Sequence, residues 1–231
     1  MQTLTATKIN SGVSSAKANR LFWLGRYAER VYLTLHMLRK HFDIMIDEDK
    51  DSYIVFCTKM GIENKYISAD DFTRRYLYDL SNPESVINML ERVKDNAMML
   101  REEIMTETLC YIELSIAYMN KPEVQTRGIE GLQRITDYML AFWGSIDERI
   151  VDNQIRHSIK FGKYLESLDL HIRFDYPFNR VNEIFERMLH TIEKECYICD
   201  EMTLLTLKQY FTFDDYKNIG VLKLINTLFR A

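Results

Sequence analysis

The longest run of helical periodicity lies near the N-terminus, in residues 19–45. Its apolar side chains recur at steps of three and four residues, the spacing of one face of a long helix packed on other helices. These positions are Leu21, Leu24, Ala28, Val31, Leu35, Leu38, Phe42 and Met45. A second row beside this face contains Gly25 and, one turn later, Glu29. Because a glycine inside a helix costs about 1 kcal/mol relative to alanine, Gly25 predicts a packing or functional reason for its position.

The same arrangement recurs in the segment FGKYLESLDLHIRF, residues 161–174. The glycine, the cation and the carboxylate each have a counterpart: Gly162, Lys163 and Glu166 for Gly25, Arg26 and Glu29. The apolar positions of the two segments also stay in register. We therefore expect two helices of related shape, each of which lets a neighbour come close at its glycine and holds a carboxylate beside the contact.

The rest of the chain is also helical in pattern. Short helices are predicted at residues 52–60 and 70–80, although the first segment would also suit a strand by propensity. A long helix should follow Pro83 and end at Met119. Four further helices are expected at about residues 128–143, 153–176, 181–196 and 212–228. The predicted fold is an all-α helical bundle with long amphipathic helices and a weak internal duplication, with residues 1–16 as a flexible N-terminal arm and 17–231 as a single domain.

The helix predicted to end at Met119 carries a carboxylate in its apolar face. The face runs in steps of three or four from Val86 to Tyr118, and position 107 within it is Glu107. An ionised carboxylate is costly to bury unless it is paired, so we expect Glu107 to meet a cation inside the bundle. The candidate cations are Arg26, Arg30, Arg101 and Lys163. Such a pair either fixes the register of the helices or belongs to a polar pocket between them.

Composition narrows the class of protein. The chain has 231 residues, of which 47% are hydrophobic and 28% charged, and only 8 glycines and 3 prolines, which favours long helices with short connections. This length suits one domain or at most two. A net charge of -4 gives no electrostatic reason to expect nucleic acid. The N-terminus lacks an apolar signal segment and no apolar run approaches about 20 residues, so we expect a cytoplasmic protein without a membrane anchor.

The sequence predicts neither a metal site nor a cofactor. The four cysteines are expected to be thiols in a reducing compartment. Cys196 and Cys199 form one C-x-x-C, but no second ligand pair is evident, which favours packing over a zinc site. A carboxylate-bridged dimetal bundle would use Glu-x-x-His pairs, and the chain contains none. It also lacks a glycine-rich phosphate loop, so it is not itself a nucleotide-dependent ligase.

Three segments, ANRLFWLGRYAERVYLTLHML, NAMMLREEIMTETL and FGKYLESLDLHIRF, resemble in order the signature segments of the alpha-E domain family. The first matches at Asn19, Leu21, Trp23, Gly25, Arg26, Tyr27, Glu29 and Arg30. The other two match at Asn96, Arg101, Ile104, Glu107, Gly162, Leu165, Glu166 and Asp169. Lys163 and Ser167 depart from the family, which usually has arginines there. Lysine loses the planar two-pronged donor and serine loses the charge, so an anion clamp in that half is in doubt.

The resemblance implies an all-helical bacterial protein. Genes of this family tend to lie beside those of circularly permuted ATP-grasp ligases and transglutaminase-like peptidases. Such a neighbourhood implies a pathway that makes or modifies peptide or amide bonds, with the ligase and the peptidase as partners.

Two hypotheses for function follow, and whether the chain catalyses a reaction stays open. In the first, the chain is a component of this pathway that binds a peptide-like, carboxylate- or phosphate-bearing ligand in a polar pocket of the bundle. The candidate acid–base residues are Glu29, Glu107 and Glu166. The candidate ligand-binding residues are Arg26, Arg30, Asn96, Arg101, Lys163 and Asp169. In the second, the chain is a non-catalytic helical interaction module, and its buried charges only fix helix register.

Overall fold

The computed structural model describes residues 13–47, 49–195, 199–213, 215–217 and 219–230. Within these ranges the chain forms twelve α-helices and one 3-10 helix (Gly128–Leu132), and no β-strand. The helices are α1 (Ser15–Asp47), α2 (Ser52–Met60), α3 (Ala69–Tyr78), α4 (Val86–Met99), α5 (Arg101–Ile104), α6 (Thr106–Met119), α7 (Pro122–Gln125), α8 (Gln133–Arg149), α9 (Asn153–Arg173), α10 (Phe178–Glu195), α11 (Glu201–Thr212) and α12 (Ile219–Thr227). The all-α bundle is therefore confirmed, and the segment that also suited a strand is helix α2.

Helices α1 and α9 form the centre of the bundle. On one side of this pair, apolar side chains of α1 pack with those of α2, α3, α4, α6 and α8. On the other side, α9 buries a second apolar face against α10, α11 and α12. Because α9 contributes to both apolar clusters, it is buried over most of its length, which fits its many buried positions.

Two glycines set the distance between α1 and α9. A Cβ atom on Gly25 would lie 2.0 Å from the carbonyl oxygen of Ile159, and one on Gly162 would lie 2.1 Å from the carbonyl oxygen of Phe22. Each glycine thus meets the carbonyl three positions before the other glycine, so the contact is reciprocal. The predicted close approach at both glycines is confirmed, and they meet each other's helix.

The predicted long helix from Pro83 to Met119 is wrong in one respect, because it breaks between α4 and α6. Leu100 caps α4, and Met105 has a φ of 68° before α6 begins. The buried positions of α6 include Thr108, Ile112, Ser115 and Met119, each one residue later than the predicted face, and Leu109 and Ile116, each two residues later. A shift of one residue rotates a helix by about 100°. Glu107 therefore lies on the exposed side and not in the core.

The ends of the chain differ in detail from the prediction. Helix α1 begins at Ser15, within the segment 1–16 predicted as an arm, and residues 1–12 lie outside the described part of the chain. The helix predicted to begin at Thr212 is instead α12, which begins at Ile219, while Thr212 ends a helix, α11, that was not predicted. Ile225 of α12 is buried, and so are Tyr216 and Leu228 on either side of this helix. None of the helices in the described ranges has both the length and the apolar character needed to cross a membrane.

Candidate functional site

The α1–α9 crossing places charged side chains of both helices in the interior. Arg26, Glu29 and Arg30 follow Gly25 on α1, while Lys163 and Glu166 follow Gly162 on α9. Because the glycines bring the two backbones into contact, side chains within the next turn and a half face the partner helix. Glu29 is 4% exposed and Glu166 is 2% exposed. Two of the three predicted carboxylates therefore meet at the centre of the bundle.

Glu166 is held by two guanidinium groups. Nε of Arg26 donates a hydrogen bond of 2.7 Å to its Oε2, and Nη1 of Arg30 donates one of 2.8 Å to its Oε1. Burial by itself would raise the pKa of Glu166. The charges of Arg26 and Arg30 and their hydrogen bonds outweigh burial and hold that pKa below its usual range. Glu166 is therefore an ionised carboxylate with both oxygens engaged.

The same network docks α12 on the central pair. Nη1 and Nη2 of Arg26 donate to Oδ1 of Asn226 at 3.3 and 3.2 Å. Nδ2 of Asn226 donates to Oδ1 of Asp169 at 3.1 Å, and Nε of Arg173 donates to the other oxygen of Asp169 at 2.7 Å. Sequence reasoning missed Asn226, because no pattern in α12 marks it. It also missed Arg173, although the spacing of four residues from Asp169 is that of a helical ion pair.

Glu29 has a different environment. Burial raises its pKa to about 7, with the charge of Glu166 adding to the rise, while Lys163 and the indole N–H of Trp143 oppose it. Its Oε2 accepts no hydrogen bond of standard geometry from any residue in the described ranges. Nε1 of Trp143 likewise donates none of standard geometry to a described residue. Glu29 is therefore the less satisfied of the two buried carboxylates.

Lys163 and Trp143 lie beside Glu29. Nζ of Lys163 lies 4.1 Å from the centroid of the Trp143 ring, a cation–π contact. Burial lowers the pKa of Lys163, and the charge of Glu29 opposes this change. A carboxyl group with a pKa of about 7 is present in both protonation states near neutral pH, which is what acid–base chemistry requires. However, Trp143 is itself buried, so the carboxyl group is closed off from solvent in this conformation.

The other predicted site residues lie away from this centre. The side chain of Glu107 is 56% exposed and comes within 3.9 Å of Nη1 of Arg149, so its predicted burial beside interior cations is wrong. Arg101 is exposed on α5. Asn96 donates from Nδ2 to the carbonyl oxygen of Arg92 at 3.0 Å and faces a surface cleft. The interior site therefore contains Arg26, Glu29, Arg30, Lys163, Glu166 and Asp169.

Metal ligands are not grouped in the part of the chain that the structure describes, where no three His, Cys, Asp or Glu side chains could hold an ion together. Cys57, Cys110 and Cys199 are free thiols. Cys196, the other half of the C-x-x-C, lies outside the described residues.

Comparison with known protein families gives a match over most of the chain. No curated protein and no solved structure matches the chain significantly. The sequence model of the Alpha-E family, described as a predicted alpha-helical domain with a conserved ER motif, matches residues 13–190. Glu29 and Arg30, adjacent on α1 at the crossing, are one of the E-R pairs of this chain. The match spans well over half of the sequence, and the chain therefore belongs to the Alpha-E family.

Proposed function

We propose that this chain is a non-catalytic helical binding component of a cytoplasmic bacterial pathway that forms or modifies peptide or amide bonds. Its proposed partners are an ATP-grasp-type ligase and a transglutaminase-like peptidase. The pathway and the partners rest on what the family resemblance implies. The non-catalytic role rests on the geometry of the interior charges.

The observation that supports this role is that Arg26 and Arg30 are already occupied by partners within the chain. Arg26 and Arg30 already bind both oxygens of Glu166, and Arg26 also binds Asn226. A ligand carboxylate or phosphate could bind these arginines only by displacing Glu166. That exchange would leave a buried carboxylate without its counter-charges, at a cost on the order of 3–5 kcal/mol. The arrangement is better suited to holding α1, α9 and α12 in register than to binding a ligand.

A second candidate function, acid–base catalysis at Glu29, is favoured by one observation. Its pKa is raised to about 7 and one of its oxygens accepts no hydrogen bond from the described residues. Perturbed buried acids of this kind concentrate at functional sites. In this alternative, Trp143 would have to move for a substrate to reach the carboxyl group.

One experiment separates the two candidates. The full chain is incubated with the ATP-grasp-type ligase encoded nearest to its gene, ATP and amino acids, and products are measured by mass spectrometry. The same assay is run with Glu29→Gln and with the matched control Glu183→Gln, which removes an exposed carboxylate on α10. Binding of each variant to the ligase is measured by calorimetry.

For a binding component, we expect product formation to require the chain and to be equal for wild type and both variants. Acid–base catalysis typically contributes about 10²–10⁴-fold in rate. A loss of about this size in Glu29→Gln alone, with folding and ligase binding intact, would replace the proposal by the catalytic candidate. A chain that neither binds the ligase nor changes its products would overturn both.

A further inference from the structure

Helices α1 and α4 border an open surface cleft of about 330 Å³ that lies outside the interior charge network. Five of its lining residues come from α1 and one from α4. They are Ala16, Asn19, Arg20, Trp23, Tyr27 and Asn96. The cleft combines aromatic rings, carboxamides and a cation, which is the mixture of groups found in ligand sites.

Two of the residues that line the cleft form a stacked aromatic pair. The rings of Trp23 and Tyr27 stack with centroids 5.2 Å apart and an angle of 28° between their planes. The guanidinium of Arg26 lies 5.5 Å from the Trp23 ring, and that of Arg92 lies 5.7 Å from the Tyr27 ring. Rings that are already held by cation–π contacts lose little conformational entropy when a ligand packs on them.

Two carboxamides face the cleft with hydrogen-bonding capacity to spare. Asn96 uses only its amino group, which donates to the carbonyl oxygen of Arg92, and its Oδ1 accepts no hydrogen bond within the described ranges. Asn19 makes no side-chain hydrogen bond to any residue that the structure describes. A carboxamide carries one acceptor and two donors, so each can bind the C=O and N–H groups of a peptide unit.

Arg20 supplies a positive charge to the lining of the cleft. It is exposed and makes no ion pair with the described residues, whereas the neighbouring Lys17 is paired with Glu103. A guanidinium group binds a carboxylate through two parallel hydrogen bonds. The available cation therefore favours a ligand with a free carboxylate.

The distance from Arg20 to Tyr27 sets the size of the ligand. Residues 20–27 of α1 span about 10 Å at a rise of about 1.5 Å per residue. An extended chain covers about 3.4 Å per residue, so this part of the cleft matches a segment of about three residues.

We propose that the α1–α4 cleft binds a short extended peptide by its C-terminal end. Arg20 binds the terminal carboxylate, Asn19 and Asn96 bind main-chain amide groups, and the Trp23–Tyr27 pair packs on a side chain. This proposal goes beyond the proposed function, because it is argued only from the residues that line the cleft and requires no ligase.

The test is a titration of the full chain with two peptides, N-acetyl-Ala-Ala-Phe as the free acid and as the C-terminal amide. Tryptophan fluorescence reports binding at Trp23, and calorimetry gives an independent affinity. The variants are Arg20→Gln and the matched control Arg39→Gln, which removes an exposed arginine of α1 far from the cleft. Circular dichroism checks that both variants fold.

We expect saturable binding of the free acid and binding of the amide that is weaker by about tenfold or more, because an arginine–carboxylate pair is lost. Arg20→Gln should weaken binding of the acid by a similar factor and abolish the difference between the peptides. Arg39→Gln should behave as wild type. Absence of saturable binding, equal affinities for the two peptides, or an unchanged affinity in Arg20→Gln would overturn the proposal. Tighter binding of a disaccharide such as chitobiose than of the acid peptide would also overturn it.

Discussion

The α1–α9 crossing has two related halves, each consisting of one buried carboxylate and the cations that face it. The two carboxylates, Glu29 and Glu166, occupy equivalent positions but differ in the direction of their pKa shifts. Glu166 faces Arg26 and Arg30 and has a pKa below its usual range. Glu29 faces Lys163, and its pKa is raised to about 7. By the internal repeat, Lys163 is equivalent to Arg26, and Ser167 stands at the position equivalent to Arg30.

The comparison separates burial from charge pairing as causes of a pKa shift. Both carboxylates are almost completely buried, and burial raises the pKa of each. The half with two guanidinium groups overcomes burial, whereas the half with one ammonium group does not. The same backbone geometry can therefore hold a structural ion pair in one half and a titratable acid in the other.

The largest effect should come from Glu166→Gln, which removes the charge of the paired carboxylate. This change leaves Arg26 and Arg30 buried without their counter-charge, so we expect the free energy of unfolding to fall by about 3–5 kcal/mol at pH 7, measured by urea denaturation. The control Glu183→Gln, at an exposed pair with Arg180 and Arg187, should lose less than about 1 kcal/mol. Equal losses in the two variants would show that the arginine pair does not hold the crossing.

The pH dependence of this half follows from the lowered pKa of Glu166. A lowered folded-state pKa stabilises the fold above the unfolded-state pKa, and this contribution is lost as the pH falls through the folded-state value. Wild type should therefore lose stability on acidification by more than Glu166→Gln does. The measurement is the free energy of unfolding of both chains from pH 7 to acid.

A substitution at the glycine contact between α1 and α9 should disturb the surroundings of both Glu29 and Glu166. Gly162→Ala would place a methyl group 2.1 Å from the carbonyl oxygen of Phe22, and because that atom is backbone the helices must move apart. We expect a loss of about 3 kcal/mol in unfolding free energy. Gly144→Ala is the matched control, since no atom of the described residues lies within 4 Å of its added methyl group, and it should gain about 0.5–1 kcal/mol from helix propensity. Unchanged stability in Gly162→Ala would contradict the close contact.

The smallest of these effects should come from Glu29→Gln, which tests the raised pKa of Glu29. The folded-state pKa of about 7 lies above the ordinary value of 4.5, so the folded state keeps its proton longer than the unfolded state. Wild-type stability should therefore fall as the pH rises from 4.5 to about 7, by about 1–3 kcal/mol. Glutamine cannot ionise, so this decline should be absent from the variant.

The difference between wild type and Glu29→Gln, measured by urea denaturation at pH 5 and pH 8, isolates the contribution of Glu29 from that of the other titratable groups. A difference that does not change with pH would rule out the raised pKa. The sign is opposite to that expected for Glu166, so the two variants together test the comparison directly.

Several features were predictable because they depend on local spacing. The apolar face of α1 follows from periodicity, and the bounds predicted for α2 agree with the structure, although its sequence would also have suited a strand. The matching positions of Gly25 and Gly162 in two similar segments predicted a close helix contact at each glycine, which the structure shows to be reciprocal. The same match predicted a carboxylate beside the contact on each helix, at Glu29 and Glu166.

Other features depend on how segments meet. No glycine or proline marks the break at Met105, so the exposure of Glu107 could not be deduced from the pattern of α6. Asn226 is distant in sequence from Arg26 and Asp169, and only the packing of α12 brings the three together. The surface cleft likewise needs Asn96 of α4 to lie beside α1.

The amino-acid sequence by itself determined that this protein is an all-α bundle built on two related helices, because periodicity and glycine placement act over a few residues. Only the tertiary structure decided which carboxylate is paired and which is not. That outcome depends on the number of cations that the folded chain brings within hydrogen-bonding distance of each acid and on the water that it excludes. Both quantities are properties of the packed interior.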